Sequence, residues 1–137
     1  KNGVTEVLEK AGIEVIFRAA DWSPEKAYEI TQNELNAHPD ITAIFGAWDP
    51  GALAAKAAVA EKGLLDKILI VGFDGDPAAV KAIKNGEMAA TIKQDNVKMG
   101  QDGVALLYDV IQGKEVPKYI PIMGILIDAS NADQFLE

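Results

Sequence analysis

Apolar residues recur along this chain in two alternating rhythms, one of helices and one of strands. Val4, Val7, Leu8 and Ala11 fall at three- and four-residue spacing, and Gly12 stands where a glycine stops a helix. Ile13 to Phe17 then runs β-branched and predicts a short strand, inside an apolar stretch that reaches Ala20. Ser23-Pro24-Glu25 is a helix start: a hydroxyl cap, proline at the first helical position, acid in the first turn. Ala27, Ile30 and Leu35 give that helix its inward face, and His38-Pro39 closes it. Ile41 to Ala47 predicts a second strand, apolar enough to be buried on both faces. Asp49-Pro50 reads as an N-cap followed by proline, opening an alanine-rich helix that runs to Lys62-Gly63. Ile68 to Phe73 is the clearest strand. Asp76-Pro77 repeats the helix start, with the Asp76 side chain expected to cap, and Asn85-Gly86 stops that helix. Ala89 to Lys93 predicts a further strand and Asn96 to Gly113 a long helix striped by Val104, Leu107, Tyr108 and Ile111. A stiff connector, Pro117 to Pro121, leads to a last strand over Met123 to Ile127.

Strands alternating with helices specify an α/β fold: a parallel sheet, helices on both faces in three layers, and right-handed crossovers. Four apolar stretches then end in polar or aromatic groups. Ile13 to Ala20 runs into Asp21-Trp22, Ile41 to Ala47 into Trp48-Asp49, Ile68 to Phe73 into Asp74, and Met88 to Lys93 into Gln94. In a parallel sheet all four exits share one edge, which is where open α/β sheets bind ligands. Carboxylates and amides exchange hydrogen bonds with hydroxyls, and an indole covers the C–H face of a sugar.

Composition narrows the class. At 137 residues the chain suits one ordinary domain, 49% hydrophobic and 25% charged. Thirteen basic residues against twenty-one acidic leave a net charge of −8, a surface that repels phosphate backbones and anionic membranes. With no cysteine and one histidine, disulfides, thiol nucleophiles and zinc sites are disfavoured. No apolar run approaches the ~20 residues needed to cross a bilayer. The opening KNGVTEVLEKAG reads as an amphipathic helix rather than a signal peptide, and the expected start is a cut within a longer chain.

Each candidate residue also has a structural reading. Asp74 in GFDGDP is either a carboxylate for two ligand hydroxyls or a turn aspartate holding backbone amides. Asp49 is a helix N-cap first, with ligand contact second. Trp48 either stacks on a ligand or packs on a loop, and Trp22 reads the same way. Gln94 offers donor and acceptor, though an exposed glutamine is the default. Arg18, the only arginine, suits a surface ion pair, and His38 a helix terminus. Neither Ser23 nor Ser130 stands in a GxSxG turn, and no phosphate-binding glycine loop is present. Nothing supports catalysis, and neither a metal nor a cofactor is implied.

Two segments, AHPDITAIFGAWDPGALAAKAAVAEKG and ILIVGFDGDPAAVKAIKNGEMAATIKQDNVKMGQDGV, resemble the periplasmic ribose-type sugar-binding proteins of bacterial ABC importers. The resemblance spans the whole chain but only the second half of such a protein. It implies a flavodoxin-like lobe of a type I periplasmic binding protein, in which two lobes close on a sugar. Asp74 then matches the family's hydroxyl-binding aspartate and Gln94 its glutamine near the hinge. Trp22 stands where an aromatic packs on the sugar ring. Trp48 departs from the pattern, since the family usually has asparagine before the aspartate at position 49. That exchange points away from ribose toward another sugar or a polyol.

The resemblance also divides the chain. Residues 1–94 correspond to the C-terminal sugar-binding lobe without its first strand or the arginine that follows it. Residues 95–121 form a helix and connector that would pack on an N-terminal lobe, and 122–137 a return strand and tail. The expected partners are a sugar or polyol, the complementary N-terminal half or a second copy, and the permease of the intact system. The expected location is the periplasm, or the outer face of a membrane to which the parent protein is anchored. The alternative is the effector-binding core of a LacI-type repressor, which shares GFD and a TIKQD-like segment; AIKNGEMAAT before that segment favours transport. A phosphoreceiver using Asp74 would need a further acidic pair at the first strand's exit, where only Asp21 stands.

Overall fold

The computed structural model describes residues 2–136. Its elements are α1 (Asn2–Lys10), α2 (Pro24–Ala37), β1 (Ala43–Phe45), α3 (Asp49–Glu61), β2 (Leu69–Asp74), α4 (Pro77–Lys84), β3 (Ala90–Lys93), α5 (Asn96–Ile111) and β4 (Ile125–Asp128), followed by a 3-10 turn at Ala132–Phe135. Helix α2 starts as its sequence dictates: the Ser23 hydroxyl accepts the Lys26 amide at 3.2 Å, and Pro24 follows without an amide to lose. Helices α3 and α4 start differently from expectation. Trp48, not Asp49, occupies the N-cap position of α3, and the Asp76 side chain makes no capping bond at α4.

The sheet order is β1-β2-β3-β4, with β1, β2 and β3 parallel and β4 antiparallel to β3. The sheet is therefore mixed rather than wholly parallel. Ile125 pairs with Lys93, so the chain re-enters beside the end of β3 and can only run back along it. Ile13 to Ala20 pairs with no strand among the described residues, and β1 keeps only three residues of the predicted seven-residue run Ile41 to Ala47. Strand propensity becomes a strand only where a neighbouring ladder accepts the backbone groups. Phe45 is 42% exposed, so β1 is not buried on both faces.

One face of the sheet carries the core. Ile70 and Ile127 meet Ala52 and Val59 of α3 and Val80 and Ile83 of α4, with Leu35 of α2 joining them. Fully burying Ile70, Ile83 and Ile127 contributes about 1.5–3 kcal/mol each. The connections β1–α3–β2 and β2–α4–β3 step the same way across the sheet, so crossovers of one hand set both helices on one side. The opposite face shows Leu69 at 63% and Leu126 at 52% exposure. Helix α5 has no buried residue. No helix among the described residues is long and apolar enough to cross a membrane.

Candidate ligand-binding edge

Because β1, β2 and β3 run parallel, Trp48, Asp74 and Gln94 all leave the sheet at the same edge. Asp74 is the last residue of β2 and is half-buried; Gln94 follows β3 directly. The Gln94 side-chain amide donates to Asp74 Oδ1 at 2.7 Å. Asp74 Oδ2 and Gln94 Oε1 have no hydrogen-bond partner among the described residues. Asp74 also holds φ of 122°, a conformation that L-residues seldom adopt, and Gly75 follows at 79°. The turn bends so sharply that a Cβ on Gly75 would stand 2.6 Å from the Lys93 Cβ.

The two tryptophans meet at the exit of β1. Their ring centroids lie 5.3 Å apart with planes at 66°, an edge-to-face pair. Trp48 is half-buried and lies on Gly51 in the first turn of α3, where a Cβ would come within 2.5 Å of the indole. Trp22 is 74% exposed. Asp21 and Trp22 both hold positive φ, 51° and 59°, which turns the chain and lifts the Trp22 indole from the surface. Lys26 Nζ pairs with Asp21 Oδ2 at 2.9 Å, and the Ser23 amide donates to the Ala20 carbonyl at 2.9 Å across that turn.

Asp49 stands apart from the other four candidates: its exposure is 0%. Its Oδ2 accepts the Asp76 amide at 2.7 Å and its Oδ1 the Thr91 hydroxyl at 2.7 Å. It neither caps its own helix nor faces the open edge. Thr91 and Gly72, both of which sequence reasoning overlooked, make its space. They sit side by side in the β2–β3 register, and a Cβ on Gly72 would lie 2.0 Å from Asp49 Oδ1. The visible signals were a glycine and a threonine interrupting apolar strands. Asp76 is the third carboxyl group here. Burial, then the charges of Asp49 and Asp74, hold its pKa above the ordinary aspartate value.

The remaining polar candidates serve the scaffold. Arg18 donates to Glu34 through Nε at 2.6 Å and Nη2 at 3.2 Å, the surface ion pair expected of it, and His38 lies 3.7 Å from the same carboxylate. Among the described residues no group of three or more His, Cys, Asp or Glu is placed to hold a metal ion. The edge thus joins an open carboxylate–amide pair to an aromatic pair of which Trp22 is exposed and Trp48 half-buried. It can accept hydrogen bonds from hydroxyl groups and cover an apolar face beside them.

Comparison with known proteins bears on the family and the fold. A family model described as a periplasmic binding protein domain matches residues 1–115. The chain is 38% identical over 120 residues to the D-allose-binding periplasmic protein of Escherichia coli K12, covering 85% of this chain and 39% of that protein. It is 40% identical over 103 residues to the ribose import binding protein of Salmonella typhimurium, covering 75% and 34%. Among solved structures, the Caulobacter myo-inositol binding protein bound to myo-inositol superposes with a TM-score of 0.84 at 28% identity, covering 96% of this chain and 47% of that one. The chain spans little more than a third of the length of the curated relatives it matches.

Proposed function

We propose, from the premise that this chain belongs to the periplasmic binding protein family, that it is the C-terminal lobe of a sugar or polyol receptor serving a bacterial ABC importer. The observation that carries this reading is the open polar pair at the sheet edge, where Asp74 Oδ2 and Gln94 Oε1 have no hydrogen-bond partner among the described residues. Neighbouring hydroxyls of a polyhydroxyl ligand can donate to both. Trp22 and Trp48 supply apolar surface for its C–H face. The ligands in the names of the similar proteins, D-allose, ribose and myo-inositol, share this character. An indole at position 48 in place of the family's usual asparagine favours a ligand with more apolar surface than ribose. Asp49 belongs beneath the site, since its carboxylate is buried and occupied.

The role is binding rather than catalysis, in keeping with relatives named as binding proteins. The receptor works in the periplasm, or on an outer membrane face to which the parent protein is anchored. Residues 1–94 form the sugar-binding lobe; β1, at the edge of the sheet, leaves a place beside it for the lobe's first strand. Residues 95–121 pack on an N-terminal half, and 122–137 return to this lobe. The exposed apolar positions Val104, Leu107 and Ile111 on α5 support that arrangement. A one-sided edge leaves its ligand wet, so affinity depends on closure by the other half. Exchange of α5 between two copies is the other way to cover the same stripe.

Tryptophan fluorescence tests the reading. The chain is titrated with D-ribose, D-allose and myo-inositol, alone and mixed with the N-terminal half of the parent protein. A saturable change in the mixture, weaker or absent in the chain alone, is expected. No saturable response to any of the three in the mixture overturns it.

A further inference from the structure

A fully buried carboxyl group is costly unless polar partners replace its water, so its partners reveal what it organises. Those of Asp49 come from two other elements. One is the amide of Asp76, two residues beyond Asp74; the other is the hydroxyl of Thr91, three residues before Gln94. The Thr91 oxygen in turn accepts the Gly75 amide at 3.4 Å. The backbone on the far side of Asp74 is therefore tied at two successive amides, and both ties lead to Asp49. Asp74 itself sits at φ of 122°, which a free aspartate would leave. Gly72, with no side chain, lets the Asp49 carboxyl lie directly on the sheet between these ties.

We propose that Asp49 is the positioning residue of this edge: through the Asp76 amide and the Thr91 hydroxyl it holds the β2–α4 turn so that the Asp74 carboxylate meets Gln94. It acts without touching the ligand. Its role deepens the reading of the edge as a sugar site and rests on that reading only for its purpose, not for its geometry.

The test compares Asp49→Asn, Thr91→Val and Thr91→Ser with the unaltered chain, all without sugar, by amide NMR well below each unfolding temperature. An asparagine offers one acceptor oxygen where the carboxyl group offers two, so one donor loses its partner. Valine removes the hydroxyl bridge, and serine restores it. In Asp49→Asn and Thr91→Val the Gln94 side-chain amide protons should shift toward those of an exposed glutamine. Exchange of the Asp76 amide should accelerate on the order of tenfold or more. Thr91→Ser should leave both unchanged, and the core amides of Val59 and Ile83 should stay in place in every variant. If the first two variants lose thermal stability but leave Gln94 and Asp76 unmoved, Asp49 is only a packing group and the proposal fails. Should Asp49→Asn not fold, the valine–serine pair decides. D-allose titration of the chain with its complementary half separates the two readings. Loss of the Gln94 signal alongside an unaltered chain that binds no sugar keeps the positioning role and removes the sugar. Undiminished D-allose binding by Asp49→Asn with Gln94 unmoved does the reverse.

Discussion

Gly72 and Asp49 occupy one space: a methyl group on Gly72 would lie 2.0 Å from Asp49 Oδ1 and 3.2 Å from the Met88 methyl. No rotamer change of a flexible end relieves this, because the carboxyl group is held by two hydrogen bonds. Gly72→Ala is therefore expected to destabilise the lobe by about 1–3 kcal/mol, as overpacking does in a tight core. Urea unfolding followed by far-ultraviolet dichroism measures it. A midpoint equal to that of the unaltered chain would mean that Asp49 has room to move.

Asp74 is strained where it matters. Replacing it with glycine removes the carboxylate and makes φ of 122° permissible. Relief of the backbone opposes the extra freedom glycine gives the unfolded chain, so stability should stay within about 1 kcal/mol. Sugar affinity in the reassembled protein should nevertheless fall by about 1–3 kcal/mol, the range for hydrogen bonds to charged groups. Calorimetric titration beside thermal unfolding separates the two effects. Unchanged affinity would remove Asp74 from the site.

The two variants mark how far the sequence could be read. Ser23-Pro24 and Asn85-Gly86 are local signals, complete within a few residues, and the structure follows them. The Asp49 signal looked equally local because Pro50 follows it. Its true partners lie 27 and 42 residues away, and nothing near it in the chain announces them. The stretch at 13–20 fails for the complementary reason. Its β-branched residues are favourable for a strand, but pairing is a property of a neighbour and not of the segment. The edge as a whole was legible because parallel strands force successive exits together. Which side chains face outward there was not, since Trp48 lies on Gly51 and Asp49 turns inward.

Asp76 gives the lobe a distinctive pH response. Its pKa is raised by burial, then by Asp49 and Asp74, so folding favours its neutral form. The stability this group contributes is fully present below the ordinary aspartate range and is lost as pH rises through its folded value. Asp76→Asn keeps the amide that Asp49 holds and removes the charge. The variant should be more stable than the unaltered chain at pH 7, by less than about 1 kcal/mol because the site is partly solvated and screened. The advantage should vanish near pH 3. Thermal unfolding of both proteins across that interval checks it, and an advantage that grows toward acid would reverse the assignment.

Helix α5 separates folding from assembly. Val104, Leu107 and Ile111 are exposed, and the helix buries none of its residues in this lobe. Polar replacement of an exposed apolar residue changes stability by no more than about 0.5 kcal/mol. Leu107→Glu with Ile111→Lys should therefore leave the unfolding midpoint of the isolated chain where it was. If the stripe packs on an N-terminal half, those replacements bury two charges in an apolar contact and should weaken association by tenfold or more. Sedimentation velocity of the chain with and without the other half distinguishes the cases. Loss of a homodimer in the chain alone would assign the stripe to exchange between copies. Association unaltered in both settings would leave α5 outside every interface, and the division of the chain at residue 95 would fall with it.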